Sequence, residues 1–419
     1  MKTSAPLALT LLLLALPVHA ALLSDPTPID ATLTDAALFS KPVKDQMPPT
    51  GGFAWLSDKK DGLRANAGRW TLFGGKTGEI VIRGDDTKTS TVSVSLYNRG
   101  DDGEIAVKEL ESRFEDWKKR ISDGLGVPGE VYSQRSAVNL KGWMWRKDKS
   151  AWLLESSISR GEGASQAEFL RLRIASLDTA GAKAQVAKRS SLTEHIVKKD
   201  NGDVYIDGVP MVDQGQKGYC AVATAERVAR YYGLEVDQHE MAQVAKTGEN
   251  GTSMSEMEEA LKRITGRLHI STTKRFDYDT KQYEEDVRDY NMAAKRAGAA
   301  KYEANPNLID LSGFQTSVKP DVYLAAKVKQ SGYKRFIARI QESIDKGIPV
   351  SWSLELGMFK EQGLPQTHGG HMRLIIGYNT KTEEIIYSDS WGAGHEFKRM
   401  PAGEAWCMTM ALYTMAPTS

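Results

Sequence analysis

Only two cysteines occur in the 419 residues, Cys220 and Cys407. So few rule out a disulfide-built scaffold, and a chain this long has enough core not to need one. Pairing the two would also consume the one sulfur that sits in a chemically suggestive place. After residue 20 there is no run of about 18 apolar residues, so no membrane-spanning helix is expected in the mature chain. Charge of either sign is not in excess: 55 Lys and Arg against 54 Asp and Glu leave a formal net charge of +1. That balance gives no basis for a nucleic-acid or anionic-membrane partner. Internal repeats and low-complexity tracts are missing as well.

Cofactor motifs fail on context. Gly124-Leu-Gly126-Val-Pro-Gly129 has dinucleotide-loop spacing but follows a helix pattern rather than a strand. Gly75-Lys76-Thr77 resembles the end of a phosphate loop, yet Trp70 stands where the first glycine belongs. His368 and His371 have no further ligands at metal-binding spacing. No cofactor and no metal are therefore expected.

What is present divides into segments. Lys2 followed by the apolar stretch Ala5–Val18, then Val18-His19-Ala20, predicts a secretory signal peptide over residues 1–20, hence a secreted or periplasmic protein. Ala21 in place of cysteine argues against a lipid anchor. Residues 21–50 read as an extended lead-in. Residues 51–178 read as a smaller α+β domain of unassigned role, with strands at Trp70–Phe73, Glu79–Arg83, Thr91–Asn98, Gly142–Trp145, Ala151–Ser157 and Glu168–Ile174. Between them Val107, Leu110, Phe114, Trp117 and Ile121 recur every three or four residues, one apolar helical stripe closed by Gly124 and Gly126. The pattern predicts an antiparallel sheet covered by one helix. Residues 179–193 are small, polar and basic, a linker. Residues 194–419 form the second domain. A hairpin about Asn201-Gly202 opens it, and helices are expected at Cys220–Tyr232, Met254–Ile264 and Phe336–Lys346. Strands are expected at Val350–Leu354, His371–Tyr378, Glu384–Asp389 and Trp406–Tyr413, the last holding a buried Cys407. Residues 270–333 read as an irregular insertion with one helix, Tyr283–Arg296, in the range where active-site lids are found.

The chemistry concentrates in Asp213-Gln-Gly-Gln-Lys-Gly-Tyr-Cys220-Ala-Val-Ala. A glycine-rich loop enters a helix, and the thiol sits in its first turn, where the helix dipole favours a thiolate. Gln214, six residues earlier, is placed to fold its amide back beside the Cys220 N–H as an oxyanion donor. His371 opens an apolar strand, and Asp389 ends the next one in Ser388-Asp-Ser-Trp-Gly392. A short turn between the strands brings the two together as base and orienting carboxylate, with Trp391 covering them. His368 is a rival base but falls in the preceding loop.

Gln-x5-Cys at a helix start, Gly-His before a strand and Asp-Ser-Trp-Gly resemble the papain-like cysteine peptidases. The soluble, secreted branch of the bacteriocin-processing (double-glycine-type) peptidases is the best match, over roughly residues 200–415. That resemblance implies a helical part and an antiparallel sheet with the active site between them, and the roles already argued for Gln214, Cys220, His371 and Asp389. Two positions depart from the pattern. Transporter-linked members carry Asp-Cys-Gly and Asp-Pro where this chain has Tyr219-Cys220-Ala221 and Asp389-Ser390-Trp391, so double-glycine leader cleavage is not inferred. The expected function is hydrolysis of a peptide or isopeptide bond in a peptide or protein substrate through a thioester. Acyl transfer or amide hydrolysis at the same site, and an inactive peptide-binding module, are the alternatives. The N-terminal domain reads either as an inhibitory pro-segment or as a recruiting module.

Overall fold

The computed structural model describes residues 26–133, 138–160, 165–178, 187–215, 218–234, 236–245, 254–266, 268, 270–305 and 310–418. The predicted signal segment lies outside these, as do residues 179–186 of the predicted linker.

The N-terminal part is built on an eight-stranded antiparallel sheet, with a small second sheet in which Trp70–Leu72 pairs Thr27–Pro28 in parallel and Gly75–Lys76 antiparallel. The order of the larger sheet is Ala54–Trp55, Gly62–Ala65, Ile80–Gly84, Thr89–Asn98, Ser165–Ser176, Ser150–Arg160, Leu140–Lys147, Gly129–Tyr132. The helix Val107–Leu125 covers one face and buries Leu110, Phe114, Trp117, Ile121 and Leu125. Each such side chain contributes about 1.5–3 kcal/mol of burial. The helix runs through Gly124 instead of ending there. The Phe73 ring packs so closely that a Cβ on Gly124 would come within 2.3 Å of it. Gly124 is a packing glycine, and Gly126, with φ +66°, is the true cap. The expectation of an extended lead-in is corrected. Residues 26–50 carry a short helix, Asp30–Leu33, and two 3₁₀ turns, and they bury Leu33, Leu38 and Val43 in the core of this domain.

The C-terminal part has its own core and its own antiparallel sheet. The order is Ile196–Lys198, Asp203–Ile206, Gly369–Asn379, Val350–Leu356, Thr409–Pro417, Ile270–Asp277. Glu384–Ser388 branches off the 369–379 strand and pairs with Lys398–Pro401. The helix Cys220–Tyr231 lies against this sheet, with Val222, Ala225, Val228 and Ala229 in the shared core. A second helix, Gln238–Ala245, follows and was not anticipated.

Two further expectations are corrected here. The stretch 270–333 is not irregular: it supplies the edge strand Ile270–Asp277 and the helices Thr280–Ala297, Leu311–Ser317 and Pro320–Lys327. The strand escaped notice because an edge position leaves half of its residues exposed and only Ile270 buried, and Lys274 and Arg275 there serve to protect the edge. The one helix expected there, Tyr283–Arg296, is present and runs from Thr280 to Ala297; one position of its buried stripe, Tyr283, Asp286, Tyr290, Ala294, is an acid. Cys407 lies in a short helix, Ala402–Met408, and the last strand starts only at Thr409. A short run of apolar residues reads alike in either conformation.

Asp286 is held by five donors. Oδ2 accepts from Tyr278 and Tyr323, each at 2.7 Å, and from the Lys327 ammonium. Oδ1 accepts from Gln282 and Gln330, each at 2.9 Å. Lys327 and Asp286 are both fully enclosed, and Lys327 also lies 4.8 Å from the Trp406 ring centre. The pair ties three helices together. Lys327→Met should strip about 3–5 kcal/mol from the urea-unfolding free energy by stranding a buried carboxylate. Adding Asp286→Leu should return most of it. A single variant as stable as the wild type would show that the pair does not hold the segment.

Candidate active site

The sheet and the helix Cys220–Tyr231 meet at the region that holds the four predicted residues. Cys220 is the first residue of its helix, preceded by Tyr219, so it sits at the end where the first-turn amides have no intrahelical acceptor. Its side chain is partly exposed and is a free thiol. Cys407 is free too, but buried.

His371 projects from the strand Gly369–Asn379 opposite Leu354 and is 3% exposed. Its Nε2–H donates to Asp389 Oδ1 at 2.7 Å, and both side chains are sealed from solvent. The other ring nitrogen, Nδ1, is buried with no hydrogen-bond partner of ordinary geometry. It is left for the thiol, whose charge and hydrogen-bonding capacity the ring senses. Burial opposes a charge on this ring. The Asp389 carboxylate and the Cys220 thiol outweigh it and raise the imidazole to about 9. Burial likewise opposes the Asp389 carboxylate, yet His371, Arg373 and the Ser390 N–H hold it at about 2. Trp391 stacks flat on His371, ring centres 4.3 Å apart and planes within 6°. It is the cover expected from the sequence. His368 is exposed in the loop before the strand.

Gln214 is 4% exposed. Its backbone N–H donates to the Ser390 carbonyl at 2.8 Å, and the Ser390 hydroxyl donates to its side-chain Oε1 at 2.6 Å. The loop behind it is fixed from several sides. Arg227 Nε donates to the Pro210 carbonyl at 2.9 Å, and Arg227 Nη1 donates to the Asp389 carbonyl at 2.9 Å. One guanidinium thus ties the helix Cys220–Tyr231 to the loop before Cys220 and to the segment after Ser388.

Sequence reasoning missed Arg373 and Ser390. Arg373 Nε donates to Asp389 Oδ2 at 2.6 Å, so the carboxylate faces a cation on each oxygen. Arg373 Nη1 also reaches both oxygens of Glu361, at 3.1 and 3.0 Å. The signal was there in the period of a strand. His371 and Arg373 share a face, and an arginine inside an otherwise apolar strand demands a buried acid.

Residues 206–409 match the Peptidase_C39 like family, a segment that holds Gln214, Cys220, His371 and Asp389. Among solved structures, the peptidase domain of Streptococcus ComA, a bi-functional ABC transporter involved in a quorum-sensing pathway, is 12% identical. That match covers 50% of this chain and 100% of that one at a TM-score of 0.26. Xylellain, a cysteine protease from Xylella fastidiosa, is 10% identical, covering 55% of this chain and 89% of that one at a TM-score of 0.28. No curated protein matches the sequence.

The buried pair makes stability depend on pH in a defined direction. A histidine raised to about 9 adds stability that is complete below its ordinary 6.5 and vanishes as pH climbs through 9. The depressed Asp389 adds stability that is present above its ordinary 3.8 and disappears as pH falls toward 2. The midpoint of thermal unfolding should therefore drop between pH 7 and about 9.5 in the wild type. His371→Gln should flatten that slope. Equal slopes in the two proteins would contradict the assigned ion pair.

Proposed function

We propose that this chain, whose residues 206–409 match the Peptidase_C39 like family, is an exported cysteine peptidase. The reading rests on one observation above all. A thiol at the start of a helix stands against an imidazole whose far nitrogen is bound to a buried carboxylate and whose near nitrogen has no other partner. Export rests on the signal-peptide pattern of residues 1–20.

In this proposal Cys220 and His371 work as an ion pair. The sulfur attacks the scissile carbonyl carbon, a C–S bond forms, and the π electrons move onto oxygen. The Cys220 N–H and the Gln214 amide receive that oxyanion; one such donor is typically worth about 10²–10³ in turnover. The tetrahedral intermediate collapses, the C–N bond breaks, and the departing amine takes its proton from His371. Neutral His371 then draws a proton from water, whose oxygen attacks the thioester, releasing the acid and the thiol. Asp389 keeps Nε2 protonated throughout and so presents Nδ1 to the sulfur. Arg373 holds the carboxylate's second oxygen, which keeps Asp389 ionised while His371 changes charge.

Alkylation of the mature protein by iodoacetamide tests the reading without a known substrate. Cys220 should label at pH 6, where an ordinary thiol hardly reacts, and His371→Ala should slow it about tenfold or more. Cys407 should stay unlabelled until the protein is unfolded. An inert Cys220, or a rate indifferent to His371, would point to a peptide-binding module. Capture of the acyl group by added amines in preference to water would make it a transferase.

A further inference from the structure

The domain joint runs beneath the active-site loop. The face of the N-terminal sheet not covered by its helix carries Arg64, Glu79, Arg83, Glu155 and Arg171, an unusual set for a buried surface. Arg171 meets Asp237 at 3.1 Å and also pairs with Glu240, both at the start of the second helix of the C-terminal part. Arg83 Nη1 donates to the Met211 carbonyl at 3.0 Å. Arg64 is 16% exposed and bridges two acids, Glu79 at 2.8 Å and Asp213 at 2.9 Å.

Asp213 is the residue before Gln214. While Arg64 holds its Oδ2, its Oδ1 accepts the Gly215 N–H at 2.8 Å, closing a turn whose central residue is Gln214. At the other end of the loop, the hydroxyl of Tyr219, the residue before the nucleophile, donates to Asn98 Oδ1 at 3.2 Å. The seat is close: a Cβ on Gly100 would lie 2.1 Å from that hydroxyl. The same domain reaches the opposite loop as well, where the Asp58 N–H donates to Glu396, near Trp391.

We infer that the N-terminal domain is a working part of the active site, with Arg64, acting through Asp213, positioning the turn that aims Gln214. This rests on the peptidase reading above. It assigns the domain a role opposite to that of an inhibitory pro-segment. Fixing the Asp213 carboxylate fixes the Gly215 N–H, and with it the backbone from which the Gln214 side chain projects. Arg64 touches no reacting atom; it is a positioning residue. Displacement of a catalytic group by about 1 Å costs on the order of 10² in rate, so an unanchored turn has a measurable effect.

The test separates two chemistries of the same sulfur in the full mature chain. Iodoacetamide alkylation needs the thiolate but no oxyanion donor. Acylation by p-nitrophenyl acetate passes through a tetrahedral oxyanion and needs both. Arg64→Ala should slow acylation about tenfold or more while alkylation stays within about twofold, which also certifies an intact fold. Arg64→Ala with Asp213→Ala should be no slower than the slower single variant, since both break one link. Lys59→Ala, which removes an exposed pair with Asp207 at the same joint, should change neither rate. Unchanged acylation in Arg64→Ala overturns the inference. So does an equal fall in both reactions, which would mean general loosening, or a rise in both, which would mean inhibition by the domain. A wild-type chain inert to both reagents sinks the peptidase reading, and this inference with it.

Discussion

The structure is organised around a carboxylate that has no contact with water. Asp389 can remain ionised there only if cations meet both of its oxygens, and His371 and Arg373 do so from alternate positions of one strand. That requirement fixes register. A slip of one residue in the strand Gly369–Asn379 would turn both side chains to the other face and strand the acid. The pairing of His371 with Leu354 and of Arg373 with Trp352 is therefore a condition of the chemistry as well as of the sheet.

Around that centre, helix and sheet contribute unlike parts. The helix end supplies the sulfur and the amides, and the sheet supplies the ring and its acid. The segments between them are sewn to each other rather than left to hang from their own elements. Ser390 binds Gln214 through both backbone and hydroxyl, and Arg227 spans the Pro210 and Asp389 carbonyls. A rigid site made largely from loops needs such cross-ties, because loops bring few apolar contacts of their own.

The parts legible in the sequence were those with local signatures: the Gly-rich entry to a helix at Cys220, the covering stripe from Leu110 to Ile121, and the strand pair that brings His371 beside Asp389, the residue just after Glu384–Ser388. What stayed hidden depends on partners far along the chain. Asp286 resembles a solvated helix residue until Lys327, Tyr278 and Tyr323 close over it. Arg64 resembles a strand-surface charge until Asp213, 149 positions later, arrives beside it. Arg373 was readable in principle, because a charge at an inward position announces a buried counter-charge. Ala402–Met408 was not, because a run that short has no period of its own.

The placement of Cys407 carries a redox consequence. It is 1% exposed and belongs to the cluster formed with Tyr323 and Phe314, whereas Cys220 borders the main core of the C-terminal part. If peroxide converts the Cys220 sulfur to a sulfenic acid, the molecule offers no second thiol to condense with it as an internal disulfide. Recovery then requires a small thiol or a reductase from outside, and without one, further oxidation to the sulfinic acid silences the sulfur for good.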